Sequence, residues 1–88
     1  MVYFSFVITH NELRELNKQL EPNAFCLFDS EIPHYYFGVI EENEYWKLLN
    51  ACSSDVLEHL EYLEKEEFNH FLESKNVSFV CGNKDLIR

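Results

Sequence analysis

The residues able to do chemistry are four histidines, His10, His34, His59 and His70, and three cysteines, Cys26, Cys52 and Cys81. Glu66 and His70 stand at i,i+4, a helical spacing that places two ligands side by side, and His59 and Glu73 fall on the same side of that helix. Zinc asks for three or four converging ligands. His59 and His70 are eleven positions apart, about three helical turns, which is too far to share one ion. The pattern reads as a solvated polar face, and no metal is expected. A nucleophilic cysteine needs a neighbouring histidine and an electropositive setting to become a thiolate. All three cysteines lie in apolar stretches of an acidic chain, with no C-x-x-C pair, so they read as small core residues carrying free thiols.

Other catalytic arrangements fare no better. Acid–base work by paired carboxylates requires one of them to be desolvated, and the acids here lie in polar runs. Only two glycines are present, which leaves nothing to build a phosphate-cradling loop. Tyr3 and Tyr36 have the chemistry of a base-stacking sheet, but phosphate binding needs clustered Lys and Arg. The chain is expected to hold no catalytic residue and no cofactor.

What remains is charge. Sixteen acidic residues face seven basic ones, a formal net charge of −9. That repels nucleic acid and anionic membranes and attracts cationic surfaces. Glu41, Glu42 and Glu44 precede a helix whose dipole favours them, and Asp55 and Glu58 have a similar local reason. Glu61, Glu64, Glu66, Glu67 and Glu73 have none. The candidate partner-binding set is therefore Glu61, Glu66 and Glu73, with Glu58 beside them and Tyr62 as an aromatic anchor; Trp46 joins if it is exposed.

These side chains must be carried by a small number of elements. Residues 2–9 alternate, with Val2, Phe4, Phe6 and Ile8 on one side and Tyr3, Ser5, Val7 and Thr9 on the other, which predicts a strand. Thr9 and Glu12 match a capping box, so a helix over about 11–20 follows, with Leu13, Leu16 and Leu20 as its stripe and Pro22–Asn23 as its stop. AFCLF at 24–28 and HYYFGVI at 34–40 read as a strand pair joined by the turn-rich DSEIP. Tyr45, Leu48, Leu49 and Cys52 share a helical face. Ser53, Ser54 and Asp55 bring N-cap chemistry, with an Asp55–Glu58 pair resembling a capping box, and a longer helix over about 55–75 follows; Glu64 and Glu67 project toward its apolar side, so either it breaks near Lys65 or they lie at the margin of the core, and VSFVC at 77–81 is the last strand.

The order β-α-β-β-α-α-β predicts one α+β domain over residues 1–88, a mainly antiparallel four-stranded sheet with helices on one face. The pattern is ferredoxin-like, with a barstar-like mixture as the alternative. The open face is expected to show some of Tyr3, Val7, Tyr36, Ile40 and Val80. The opening MVYFSFVITH lacks a basic stretch and a cleavage site, is too short to span a bilayer, and reads as a strand. With odd, unpaired cysteines this points to a reducing, cytoplasmic setting.

The expected function is a non-enzymatic acidic inhibitor that covers a basic, nucleic-acid-handling protein, in the manner of an immunity protein, an antitoxin or a phage anti-defence protein. This is an analogy of class, since no motif names a family. The alternatives are a DNA mimic, which would present two rows of acids, and a structural or regulatory subunit that pairs through its sheet.

Overall fold

The computed structural model describes residues 1–20, 25–74 and 77–87, and the side chains of all of these except 25–28, 74 and 87. The elements are β1 (Val2–Val7), α1 (His10–Gln19), β2 (Phe25–Asp29), β3 (Tyr35–Ile40), α2 (Tyr45–Ala51), α3 (Ser54–Glu58), β4 (Glu61–Leu63), α4 (Lys65–Ser74) and β5 (Ser78–Gly82), with short 3-10 turns at Glu42–Glu44 and Lys84–Ile87. The five strands form one sheet in the order β4-β1-β3-β2-β5, and the strand pairs are antiparallel. The architecture is α+β.

The alternation in β1 sorts the core. Val2, Phe4, Phe6 and Ile8 are buried with Leu13, Leu16 and Leu20 of α1, Leu48 of α2 and Val56 of α3. The opposite face buries Phe37 and Val39 of β3 with Leu63 of β4 and Phe68 of α4, and Tyr3, Tyr35, Phe71 and Leu72 pack against them. Helices thus cover both faces of the sheet, not one. Tyr36 and Ile40 do not share a face with Tyr3. The β1–β3 register sets Tyr36 opposite Phe6 and Ile40 opposite Val2, and directly paired residues point to the same side.

The long helix expected over 55–75 is three elements. Val56 and Leu60 belong to the first core, whereas Leu63, Phe68, Phe71 and Leu72 belong to the second. No straight helix can bury one stripe on both faces of a sheet. The chain passes from one face to the other around the edge of β1, and it does so as β4, with Tyr3 paired to Leu63 and Ser5 to Glu61. That strand takes the place beside β1. The last strand pairs β2 at the far edge instead, with a bulge near Leu27 and Phe28. The sheet therefore has five strands where four are expected from sequence.

Local chemistry fixes the helix starts. Thr9 caps α1 in a full capping box with Glu12. Ser53, not Asp55, caps α3, its hydroxyl accepting from the Val56 N–H. Asp55 lies inside the first turn, so the expected Asp55–Glu58 pair is not a capping box. At α4 the Glu67 carboxylate accepts from the Glu64 N–H at 3.2 Å. The expected Pro22–Asn23 stop lies outside the described residues; α1 ends at Gln19, with Leu20 extended and buried behind it.

Candidate binding surface

The surface around β4 holds the residues singled out from sequence, but arranges them differently. Glu58 ends α3, Glu61 and Tyr62 are in β4, Glu66 is in the first turn of α4, and Glu73 is in its last. All five are exposed, Tyr62 at 66%. They do not share one helix face, because β4 interrupts it. Along β4 the side chains alternate. Leu63 turns to the α4 side, so Glu61 does too, and Tyr62 turns to the other, where its ring meets Tyr45 edge-on at 6.4 Å. The set therefore does not form one face: Glu61 and Tyr62 lie on opposite sides of the edge, and Glu73 lies at the end of α4 that reaches Tyr35 of β3.

α4 starts over Tyr3, whose ring lies 5.0 Å from Phe68. It crosses toward Tyr35, which stacks on Phe71 at 6.4 Å. Phe68, Phe71 and Leu72 face the sheet, leaving Glu66, His70 and Glu73 on the outer side. Glu66 and Glu73 are consequently about two turns, or roughly 10 Å, apart.

The true helix bounds also change which acids lack a local reason. Glu66 and Glu67 lie in the first turn of α4, where the helix dipole favours them, and Glu67 serves as a cap. Glu58 and Glu73 are different. Each sits near a helix C-terminus that prefers cations, and neither α3 nor α4 has a basic residue in its last turn. Glu61 sits on an edge strand, where a charge discourages further strand pairing.

One grouping was not legible before the register was known. Ile40 pairs Val2 and Leu63 pairs Tyr3, so the chain leaves β3 and β4 at the same end of the sheet. Glu41, Glu42 and Glu44 thereby come to the same pole as Glu64, Glu66 and Glu67. Lys47 offsets part of this charge through a 2.6 Å bond to Glu44, and its ammonium lies 5.9 Å from the Trp46 ring. Trp46 is 57% exposed and Leu49 is exposed one turn later, so Leu49 is not part of the buried stripe expected for α2. Tyr45 is half-buried, and burial, with smaller contributions from Tyr62 and Cys52, pushes its phenol above the ordinary range.

The thiols are poorly suited to nucleophilic work. Cys52 and Cys81 are free and half-buried; the side chain of Cys26 lies outside the described part. Burial, helped by the negative charge of Glu12, pushes the Cys52 thiol up to about 11. Burial also raises Cys81. Among the described residues no group of three or more His, Cys, Asp or Glu is placed to hold a metal ion, and no helix is long and apolar enough to cross a membrane.

No family model, curated protein or solved structure matches the chain.

Proposed function

We propose that the protein is a non-enzymatic inhibitor that binds and blocks a basic, nucleic-acid-handling protein in the cytoplasm, using the acidic surface around β4. The observation that carries this reading is the exposure of Glu58, Glu61, Glu73 and Tyr62 in a chain of net charge −9. Glu58 and Glu73 lie where their own helix dipoles disfavour them. Folding gains nothing from those charges, while a cationic partner would. Glu66 adds to the same field, and Tyr62 offers an aromatic anchor of the kind that concentrates binding energy. Electrostatic steering would speed the encounter. The β1-α1-β2-β3 portion, with β3 between β1 and β2, supports a ferredoxin-like reading of that half of the sheet.

The test is a titration against a basic protein recovered from the native host, with wild type and the triple variant Glu58→Lys, Glu61→Lys, Glu73→Lys at two salt concentrations. Exposed charges contribute under about 1 kcal/mol each to folding, so circular dichroism should show both proteins folded. An interface predicts a loss of roughly a hundredfold or more in affinity, a slower on-rate, and wild-type binding that weakens with salt. Equal affinities would remove the reading.

A structural subunit pairing through its sheet is the second reading, and β5 favours it. This edge strand, SFVCG, carries no charge. Its Phe79 and Val80 are each 39% exposed. Uncharged edges are the ones that recruit further strands. Light scattering would decide it: a dimer that Val80→Lys converts to monomer supports pairing, and a monomeric wild type at high concentration excludes self-association.

A further inference from the structure

The outer face of α2 carries large apolar side chains that the fold leaves uncovered. Leu48 points into the first core and is fully buried. Trp46 and Leu49 stand at i,i+3 on the other side of the helix, 57% and 37% exposed. Tyr45, one turn before Leu49, is half-buried, and its ring meets that of Tyr62. The apolar surface therefore runs from Trp46 and Leu49 over Tyr45 to Tyr62. Beyond Tyr62 it opens into a depression of about 430 Å³ whose walls include Met1, Tyr3 and Leu63. Single exposed apolar residues are ordinary, but a contiguous run of them marks an interaction site, and Trp and Tyr are the residues that concentrate binding energy.

Charge selects what binds there. Among the described residues, the segments that leave β3 and β4 and enter β1 at this end carry six carboxylates, Glu41, Glu42, Glu44, Glu64, Glu66 and Glu67. Against them stand Lys47, Lys65 and the Met1 amino group. The N-termini of α2 and α4 point to the same end, each worth about half a positive charge. Six negative charges, less three positive ones and about one from the two dipoles, leave about −2 after local compensation. Lys84 and Asp85, past the far strand, cancel each other. The chain's net charge of −9 acts in the same direction at longer range. The surface thus fits a partner that is cationic around an apolar centre.

The neighbouring sheet edge decides the form of that partner. β4 has three residues and carries Glu61, so it offers an extended segment few bonds and a charge that discourages pairing. α2 instead presents side chains at helical spacing, and a second helix can lay its own i, i+3 and i+4 residues across them. We propose that the outer face of α2, with Tyr62, docks a basic amphipathic helix of the partner. Its apolar stripe covers Trp46 and Leu49, and its Lys and Arg residues meet the carboxylates of this pole. The inference rests on the reading of a basic partner and names the element that partner presents.

Trp46 is the single tryptophan of the chain, so its emission reports on this face alone. The probe is a tryptophan-free amphipathic helical peptide of leucine and lysine, unlabelled for emission and fluorescein-labelled for anisotropy. One control peptide keeps the leucine stripe and replaces lysine by glutamine; the other keeps the lysines and replaces leucine by serine. The expected result is saturable binding of the leucine–lysine peptide, a blue shift and reduced acrylamide quenching of Trp46, and an affinity that falls with salt. Both controls should bind at least about tenfold more weakly. Trp46→Ser and Leu49→Ser should each weaken binding about tenfold or more and leave the circular dichroism unchanged. Ile32→Ser, at a residue 61% exposed in the β2–β3 turn at the opposite end of the sheet, should have no effect. Binding without a change in Trp46 emission, an equal loss from Ile32→Ser, a control peptide that binds as tightly, or no saturable binding would each overturn the docking face. The reading of a basic partner fails separately, when a basic host protein binds wild type and the Glu58→Lys, Glu61→Lys, Glu73→Lys variant equally. If that protein distinguishes the two and is indifferent to Trp46→Ser, the reading stands and the docking face on α2 falls.

Discussion

Cys52 permits a quantitative test of how the α1–α3 junction is packed. A free cysteine with a pKa of about 8.5 is about 9% thiolate at about pH 7.5. With the Cys52 thiol at about 11, the fraction is about 0.03%, roughly 300-fold less. A more basic thiolate is intrinsically more nucleophilic, and a Brønsted slope of about 0.45 over that interval returns a factor of about 13. Exchange with a small disulfide reagent should therefore run about 20-fold slower than for a free thiol, before any steric hindrance. The assay is timed quenching and mass spectrometry of the peptide that carries Cys52, with an unfolded control in urea. Glu12→Gln should speed the reaction modestly, because the Glu12 charge is the smaller of the two causes. The same group predicts a pH dependence. The folded thiol stays protonated while the unfolded one ionises, so its contribution is complete below about pH 8.5 and is lost as pH rises toward 11. The loss is at most about 3.4 kcal/mol and is reduced by the partial exposure of the group. A Cys52 rate equal to the urea control at neutral pH, or a stability that is flat across this alkaline range relative to Cys52→Ala, would refute the packing argument.

Three further outcomes follow from the two-sided sheet and its caps. Phe68→Ala should cost about 3–5 kcal/mol in chemical denaturation, from a total of roughly 4–13 kcal/mol for a chain of this length, because Phe68 is 1% exposed and its ring contacts both Tyr3 and Phe37; Leu16→Ala should cost about 2–5 kcal/mol on the other face, and a negligible effect at either site would mean that face is not a core. Ser5 is buried and its hydroxyl has no hydrogen-bond partner among the described residues, so Ser5→Ala should leave the urea midpoint unchanged or raise stability by up to about 1 kcal/mol, and a clear loss would reveal a bond to that hydroxyl. Hydrogen bonds from Thr9 hold the Glu12 carboxyl below its ordinary range, so its contribution is present above that range and is lost as pH falls through its folded pKa; in thermal melts the difference between wild type and Glu12→Gln should shrink from neutral pH to acid, and a constant difference would contradict the capping role.

The sequence speaks clearly where a segment touches only one core. The alternation of Val2, Phe4, Phe6 and Ile8 marks one face, and Leu13, Leu16 and Leu20 mark the helix laid on it, because each pattern reports a single burial direction. It speaks poorly where the chain changes sides. The apolar residues from Val56 to Leu72 fit one helical stripe on paper, yet the first of them serve one face of the sheet and the last serve the other. The trace of that change was the fit of Glu64 and Glu67 to the apolar side of an ideal helix, a conflict that a break resolves. Strand order was invisible because it depends on which edge is free when β4 and β5 arrive. The acidic residues were legible as a composition; their division into a pole at 41–44 and 64–67, and isolated charges at Glu58 and Glu73, needed the register. The meeting of α1 with the α2–α3 junction was hidden because Glu12 and Ser53, which bond there, are 41 positions apart in the chain.

The passage of the chain around the edge of β1 also sets the order in which the molecule can close. Residues 61–82 leave one edge of the sheet as β4, cross the second face as α4, and return to the opposite edge as β5, like a strap drawn across it. Until that strap is down, Phe37 and Val39, both fully buried in the finished fold, face solvent on an incomplete sheet. The contacts that cover them join parts of the chain far apart in sequence, and such closures are slow because loop entropy is lost before the contacts form. On the first face only α1 against β1 is built from neighbours in sequence, since Ile40, Leu48 and Val56 reach the same core from far along the chain; the docking of α1 on β1 is therefore the part that can form early. An intermediate with α1 docked and α4 loose would bind a hydrophobic dye and then lose it as folding ends, and in that interval the chain is most exposed to aggregation and to chaperones.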